Sequence, residues 1–135
     1  MKSVLLDTGV IVALLDRSER KHQACAEAVH EVSGPLVTCE PVIAEACYLL
    51  RDVPGAADAV LANVEEGTFQ IPLLLSAAAA PIRALMKRYA KVPMDVADAC
   101  LVHLADLLGT GEILTLDSDF AVYRWRRKKP FEILV

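Results

Sequence analysis

"VLLDTGVIVALLD", residues 4–16, opens with an apolar run that stops at Asp7. The run beginning at Ser3, "SVLL", does not alternate with polar residues, so it reads as a strand covered on both faces. "TGVIVALLD" behind it reads as a short helix. A carboxylate therefore stands at the joint between a buried strand and a helix. Asp-Thr-Gly is also the tripeptide that carries the catalytic carboxylate of aspartic proteases. That family is almost wholly β and holds the tripeptide in a β loop. Here Gly9 leads into "VIVALL", and much of the chain reads as Ala- and Leu-rich helix. The protease reading is set aside.

Working outward, short β-type runs alternate with longer helical ones. "KSVLL", "PLVTC", "TFQIPLL", "EILTL" and "FEILV" read as five strands. Between them lie "SERKHQACAEAVHEV", opened by Ser18, then "EPVIAEACYLLR" with Pro41 at its first position, and "PGAADAVLANVEEG", ended by Gly67. "SAAAAPIRALMKRYA" and "PMDVADACLVHLADLLG" are two further helices. Strands alternating with helices imply an α/β fold in three αβα layers, with a central, mostly parallel sheet of about five strands flanked by helices.

The chain has 135 residues, and residues 1–135 read as a single domain. Such a length buries about two thirds of its unfolded surface without needing staples. Hydrophobic residues make up 55% and mean hydropathy is +0.40, yet every apolar stretch is too short or too interrupted to span a membrane. The N-terminal run contains Asp7 and ends in "DRSERK", so it does not read as a signal peptide. Cys25, Cys39, Cys47 and Cys100 form no C-x-x-C and no zinc spacing with histidine. They read as reduced thiols of a cytoplasmic protein. Net charge is −4, so bulk charge does not mark a polyanion binder, but "YRWRRKKP" at 123–130 is a local basic block.

In open parallel sheets ligands gather outside the carboxyl ends of the strands. Asp7 follows "SVLL", and Asp117 follows "EILTL" in "TLDSDF". Either alone could be a helix cap; together they place two carboxylates at one sheet edge. Glu45 is the only charged residue from Pro41 to Leu50, and a carboxylate among apolar neighbours is expensive unless paired. Asp95 and Asp98 lie three apart on one helix face. Asp95 also suits a capping role with Asp98 in the first turn. Carboxylates crowded into one cleft raise each other's pKa, and a hard divalent cation, Mg²⁺ or Mn²⁺, resolves the conflict. His22, His30 and His103 read as solvated or structural rather than as ligands of a softer metal.

These pieces together resemble the PIN domain, specifically the VapC-type ribonuclease toxins of toxin–antitoxin systems. The resemblance rests on "LLDTGVIVALLD", Glu45 in "VIAEACYLL", "YAKVPMDVADACLVHLA" and "ILTLDSDFAVYR", in that order along nearly the whole chain. It implies an acidic quartet of Asp7, Glu45, Asp98 and Asp117, with Asp95 and Asp119 as accessory acids and Thr8 and Thr115 as supporting hydroxyls. Either Asp117 or Asp119 could be the closer ligand, and Asp117 stands nearer the strand end. It further implies Mg²⁺- or Mn²⁺-dependent hydrolysis of RNA, a homodimer, and a small antitoxin filling the groove.

The residues fit that chemistry on their own terms, since metal-held carboxylates suit phosphodiester hydrolysis and no Ser-His-Asp or Cys-His arrangement stands out. Arg124, Arg126, Arg127, Lys128 and Lys129 could hold RNA phosphates, with Tyr123 or Trp125 stacking a base. The same block also reads as a solvated charged turn. Two rival functions are a non-catalytic PIN-like binding or scaffold module, and an aspartyl phosphatase or phosphoacceptor receiver, which also places Asp at strand ends. The second lacks a counterpart for Glu45 and an identifiable lysine.

Overall fold

The computed structural model describes residues 1–135. Five strands form one wholly parallel sheet: β1 (Val4–Leu6), β2 (Leu36–Val37), β3 (Phe69–Gln70), β4 (Glu112–Leu114) and, last in the chain, β7 (Glu132–Ile133). Their order across the sheet is β3-β2-β1-β4-β7. Six helices accompany them: α1 (Thr8–Leu15), α2 (His22–Glu31), α3 (Glu40–Leu49), α4 (Ala56–Glu65), α5 (Leu75–Arg88) and α6 (Val96–Leu108). Val4, Leu5 and Leu6 are all buried, which is the signature of a central strand covered on both faces.

The α/β architecture and the parallel sheet agree with the sequence reading, but the strands are shorter. "TFQIPLL" contributes only Phe69 and Gln70; Pro72, which has no N–H, follows closely. Ser18 does not open α2. Asp16 Oδ1 accepts from both the backbone N–H and the hydroxyl of Ser18 at 3.0 and 2.6 Å, so the chain turns there and α2 begins at His22. The basic block is not a simple turn either. Arg124–Trp125 (β5) and Lys129–Pro130 (β6) pair antiparallel as a small hairpin beside α6.

The sheet order decides where the site lies. β1 pairs with β2 on one side and with β4 on the other, so successive connections leave β1 in opposite directions. This opens a crevice beyond the carboxyl ends of β1 and β4. Leu6 is registered against Leu114, and the Asp7 N–H donates to the Leu114 carbonyl at 3.0 Å. The residues that follow both strands therefore emerge side by side.

At the opposite edge, Gly34 passes hard against the N-terminal segment. A Cβ there would lie 1.8 Å from the Lys2 carbonyl oxygen, while the Val4 N–H is bonded to the Pro35 carbonyl at 2.8 Å. Gly34→Ala should therefore destabilise the protein by about 2 kcal/mol or more. Urea unfolding should show a lower midpoint at an unchanged slope, and an unaltered midpoint would show that this edge yields freely.

Candidate metal centre

Each acid of the crevice is held by the element that ends or begins beside it. Asp7 is the N-cap of α1, its Oδ1 accepting from the Thr8 N–H at 2.8 Å. Its Oδ2 accepts from the Thr115 hydroxyl at 2.7 Å, and Thr115 Oγ1 in turn accepts from the Asp117 N–H at 3.0 Å. One threonine thus ties the two strand ends together. Asp117 Oδ1 accepts from the Asp119 N–H at 2.9 Å, capping the 3₁₀ turn Ser118–Ala121. Asp95 caps α6 by accepting from the Asp98 N–H at 2.8 Å, the capping role open to it from sequence.

Asp98 is presented from the first turn of α6, and its Oδ2 accepts from the Tyr123 hydroxyl at 2.9 Å. Tyr123 was a candidate for base stacking; the structure corrects that, because the ring is fully buried. It packs edge-on against Tyr89 and Phe120 at centroid distances of 5.1 and 5.0 Å. Burial pushes its phenol pKa up, so it stays protonated and donates. Nothing in the local sequence singles out this partner of Asp98, which lies 25 residues away.

Asp7, Asp98 and Asp117 each offer a carboxylate oxygen, and these oxygens lie within 4.8 Å of one another. Asp119 is not in that set. Asp7 and Asp98 are both 7% exposed. Burial raises the Asp7 pKa against the opposing pull of its Thr115 and Thr8 hydrogen bonds, and the charges of Asp117 and Glu45 add to the rise. Asp98 is pushed up to about 7, mainly by burial, against the Tyr123 hydrogen bond and with help from the charges of Asp95, Asp7 and Asp117.

Glu45 lines the same cleft as Asp7, Asp95, Asp98 and Asp117, but it is exposed, as are its apolar neighbours Ala44, Tyr48 and Leu49. Sequence reasoning took its apolar neighbourhood for a core environment. It is instead an apolar rim of the cleft, which Leu116 continues at 41% exposed.

The donors fit a hard divalent cation. They are carboxylate oxygens from three separate elements, and the Thr8 hydroxyl oxygen, which also lines the cleft, is buried with no hydrogen-bond partner. No thiol or imidazole belongs to the set. Among the histidines, His22 is occupied with the Ala13 carbonyl at 2.6 Å.

The basic block lies elsewhere. Arg124 turns its guanidinium onto the carbonyls of Ala121, Val122 and Tyr123. Arg126 is held on Asp106, and Trp125 donates to the Pro130 carbonyl at 3.1 Å with Lys129 over its ring. Asp106 is eight residues beyond Asp98 along α6, about 12 Å away at the helical rise. Arg127, Lys128 and Lys129 are exposed.

In the metal-free protein, the raised Asp98 pKa fixes the direction of a pH effect. The folded state holds a proton that the unfolded chain releases near its ordinary value of 3.8. Stability from this group is thus complete below about pH 4 and lost as pH rises through about 7. In EDTA the melting temperature should fall across that window. Asp98→Asn should remove much of the fall, melting above the parent at pH 8 and close to it at pH 4. A variant that melts lower at pH 8 would make Asp98 a packing residue only.

A family model described as the PIN domain matches residues 4–126. Ribonuclease VapC26 of Mycobacterium tuberculosis is 31% identical over 116 residues, covering 84% of this chain and 86% of that protein. The crystal structure of Mycobacterium tuberculosis VapC20, described there as a sarcin–ricin loop cleaving toxin, superposes with a TM-score of 0.82 over 94% of this chain and 99% of that one. At 18% identity this establishes the shared fold alone. With a cleft of acids at the switch point of its sheet, a family model spanning nearly its full length and a VapC relative at that identity, this chain belongs to the PIN domain family of VapC ribonucleases.

Proposed function

We propose that the acidic cleft hydrolyses RNA phosphodiester bonds with the help of Mg²⁺ or Mn²⁺, and that the chain is the toxin of a type II toxin–antitoxin pair. The observation that carries this is the convergence of Asp7, Asp98 and Asp117 within 4.8 Å in a member of a ribonuclease family. The non-catalytic scaffold reading gives no reason to bury like charges together against their repulsion.

Asp7, Asp98 and Asp117 would hold the ion, with Glu45, Asp95 and Asp119 as acids around it and Thr8 and Thr115 as hydroxyls beside it. When bound, a divalent ion lowers the pKa of a water and neutralises charge building on the phosphate. The chain's own work is orientation. Thr115 aims one Asp7 oxygen and steadies Asp117, while Tyr123 fixes one Asp98 oxygen. Exposed Glu45 stands at the rim, where it can take a proton from a water entering the cleft.

The partners follow from the same cleft. A small antitoxin that inserts an Arg or Lys among the carboxylates would satisfy them as a metal does, packing apolar residues on Tyr48, Leu49 and Leu116. A second copy of the chain could cover the exposed leucines at the start of α5 and the end of α6, Leu74, Leu75, Leu107 and Leu108. The cytoplasm suits the four free cysteines.

Asp7→Asn, Glu45→Gln and Asp98→Asn should each reduce Mn²⁺-dependent RNA cleavage by at least about a hundredfold, or some 2.7 kcal/mol of barrier, with the fold retained by circular dichroism. Full activity in any two of them would sink the site assignment. Co-expression with the adjacent small gene product should give a stable complex in which cleavage is suppressed.

A further inference from the structure

A second pocket of about 310 Å³ adjoins the acidic one. Gly9, Leu49 and Leu116 line both, so the two form one continuous groove, and its charge reverses along its length. The acidic end carries five carboxylates and no cation. The other end is walled by Val12 and Ala13 of α1 and by the turn Glu19–Lys21, where Arg20 and Lys21 face the single acid Glu19. Lys21 also lines the depression that runs on past Thr115 and Asp117. Asp16, the acid just before that turn, does not line the pocket; its Oδ1 is held by Ser18.

We propose that this second pocket is a nucleotide subsite. It takes the nucleotide flanking the cleaved bond, with its base against Leu49, Leu116 and Val12 and its phosphate against Arg20 and Lys21. The inference rests on the acid cluster being the place of cleavage.

Three physical points carry it. An RNA strand crossing a cleft of carboxylates is repelled everywhere except at a bound ion, so its grip has to come from cations next to the cleft, within a screening length of about 8–10 Å. Arg20 and Lys21 are the cations that line a pocket continuous with it. The pocket's apolar wall offers contact to the face of any base without reading its edge, as single-stranded RNA is commonly held. Leu49 at 51% and Leu116 at 41% exposure are apolar surface at the cleft mouth, open to a base when no partner protein covers it. The volume lies at the lower end of the range for small-ligand sites, about 300–1,000 Å³, which suits one nucleotide rather than a duplex.

The experiment compares the full chain with its Arg20→Gln/Lys21→Gln variant on an RNA oligonucleotide that the wild type cleaves, with Mn²⁺ and over a series of salt concentrations. We expect KM to rise about tenfold near 0.1 M salt with kcat within about twofold. The slope of log KM against log salt should fall by roughly 1.4, which is 0.7 for each of two lost single-strand contacts. A single methylphosphonate beside the cleaved bond, which removes one phosphate charge, should weaken the wild type and leave the variant unaffected. The Mn²⁺-induced rise in melting temperature should persist in the variant, showing an intact cleft. An unchanged KM and salt slope would overturn the proposal. So would unchanged RNA kinetics with lost affinity for the co-encoded small protein, which would assign the pocket to that partner. Failure of the underlying site reading shows separately, as cleavage retained in Asp98→Asn.

Discussion

Carboxylates brought within 4.8 Å of one another repel, and burying two of them deepens the penalty. Much of the fold around the crevice serves to hold them there regardless. Every side chain or N–H that pins Asp7, Asp98 or Asp117 is neutral: the hydroxyls of Thr115 and Tyr123, and the N–H groups of Thr8 and Asp119. A lysine or arginine in any of these places would hold its carboxylate as firmly and would cancel the charge. Neutral donors fix direction and leave the charge available to a cation. The aromatic cluster of Tyr89, Phe120, Tyr123 and Phe131 is the rigid backing for one of them, because a phenol that moved would release Asp98.

The fold was legible where the signal was periodicity over several residues. The alternation of apolar runs with helical stretches gave a parallel sheet, and Asp7 and Asp117 were placed at one edge because each follows such a run. The strand lengths were not legible, because apolar flanks such as Leu73 and Leu116 look the same in sequence whether or not they pair. Nor were contacts between distant segments. The hydroxyl of Tyr123 on Asp98 joins residues from different elements, and the sequence there shows only an aromatic beside basic residues. Glu45 was singled out for a sound reason, an isolated charge among apolar residues, but those residues form an exposed rim rather than a core. Exposed apolar surface and buried core have the same composition and differ only in what covers them.

Charge is distributed so that the net value of −4 says little about the partner. Five of the 18 acidic residues line the one cleft, and no lysine or arginine does, while Arg127, Lys128 and Lys129 stand exposed on a hairpin toward the far end of α6. Screening at physiological salt limits each cluster to its own neighbourhood. A polyanion therefore meets an attractive field on one surface and a repulsive one at another, and productive approach to the cleft depends on whichever cations lie beside it.

The contrast between Asp98 and Glu45 ties chemistry to control. If Asp98 holds an ion as proposed, then with its pKa pushed up to about 7 it must lose a proton first, and proton and ion would compete for the same oxygen near neutral pH. Glu45 is exposed at the rim, a position that on the proposed reading suits it to meet entering water rather than to anchor an ion. On the proposed reading, a guanidinium or ammonium group from a partner protein would relieve the same repulsion between the same oxygens. Metal, proton and inhibitor would then be three alternative answers to one electrostatic problem, and occupation by any one of them would weaken the hold of the other two.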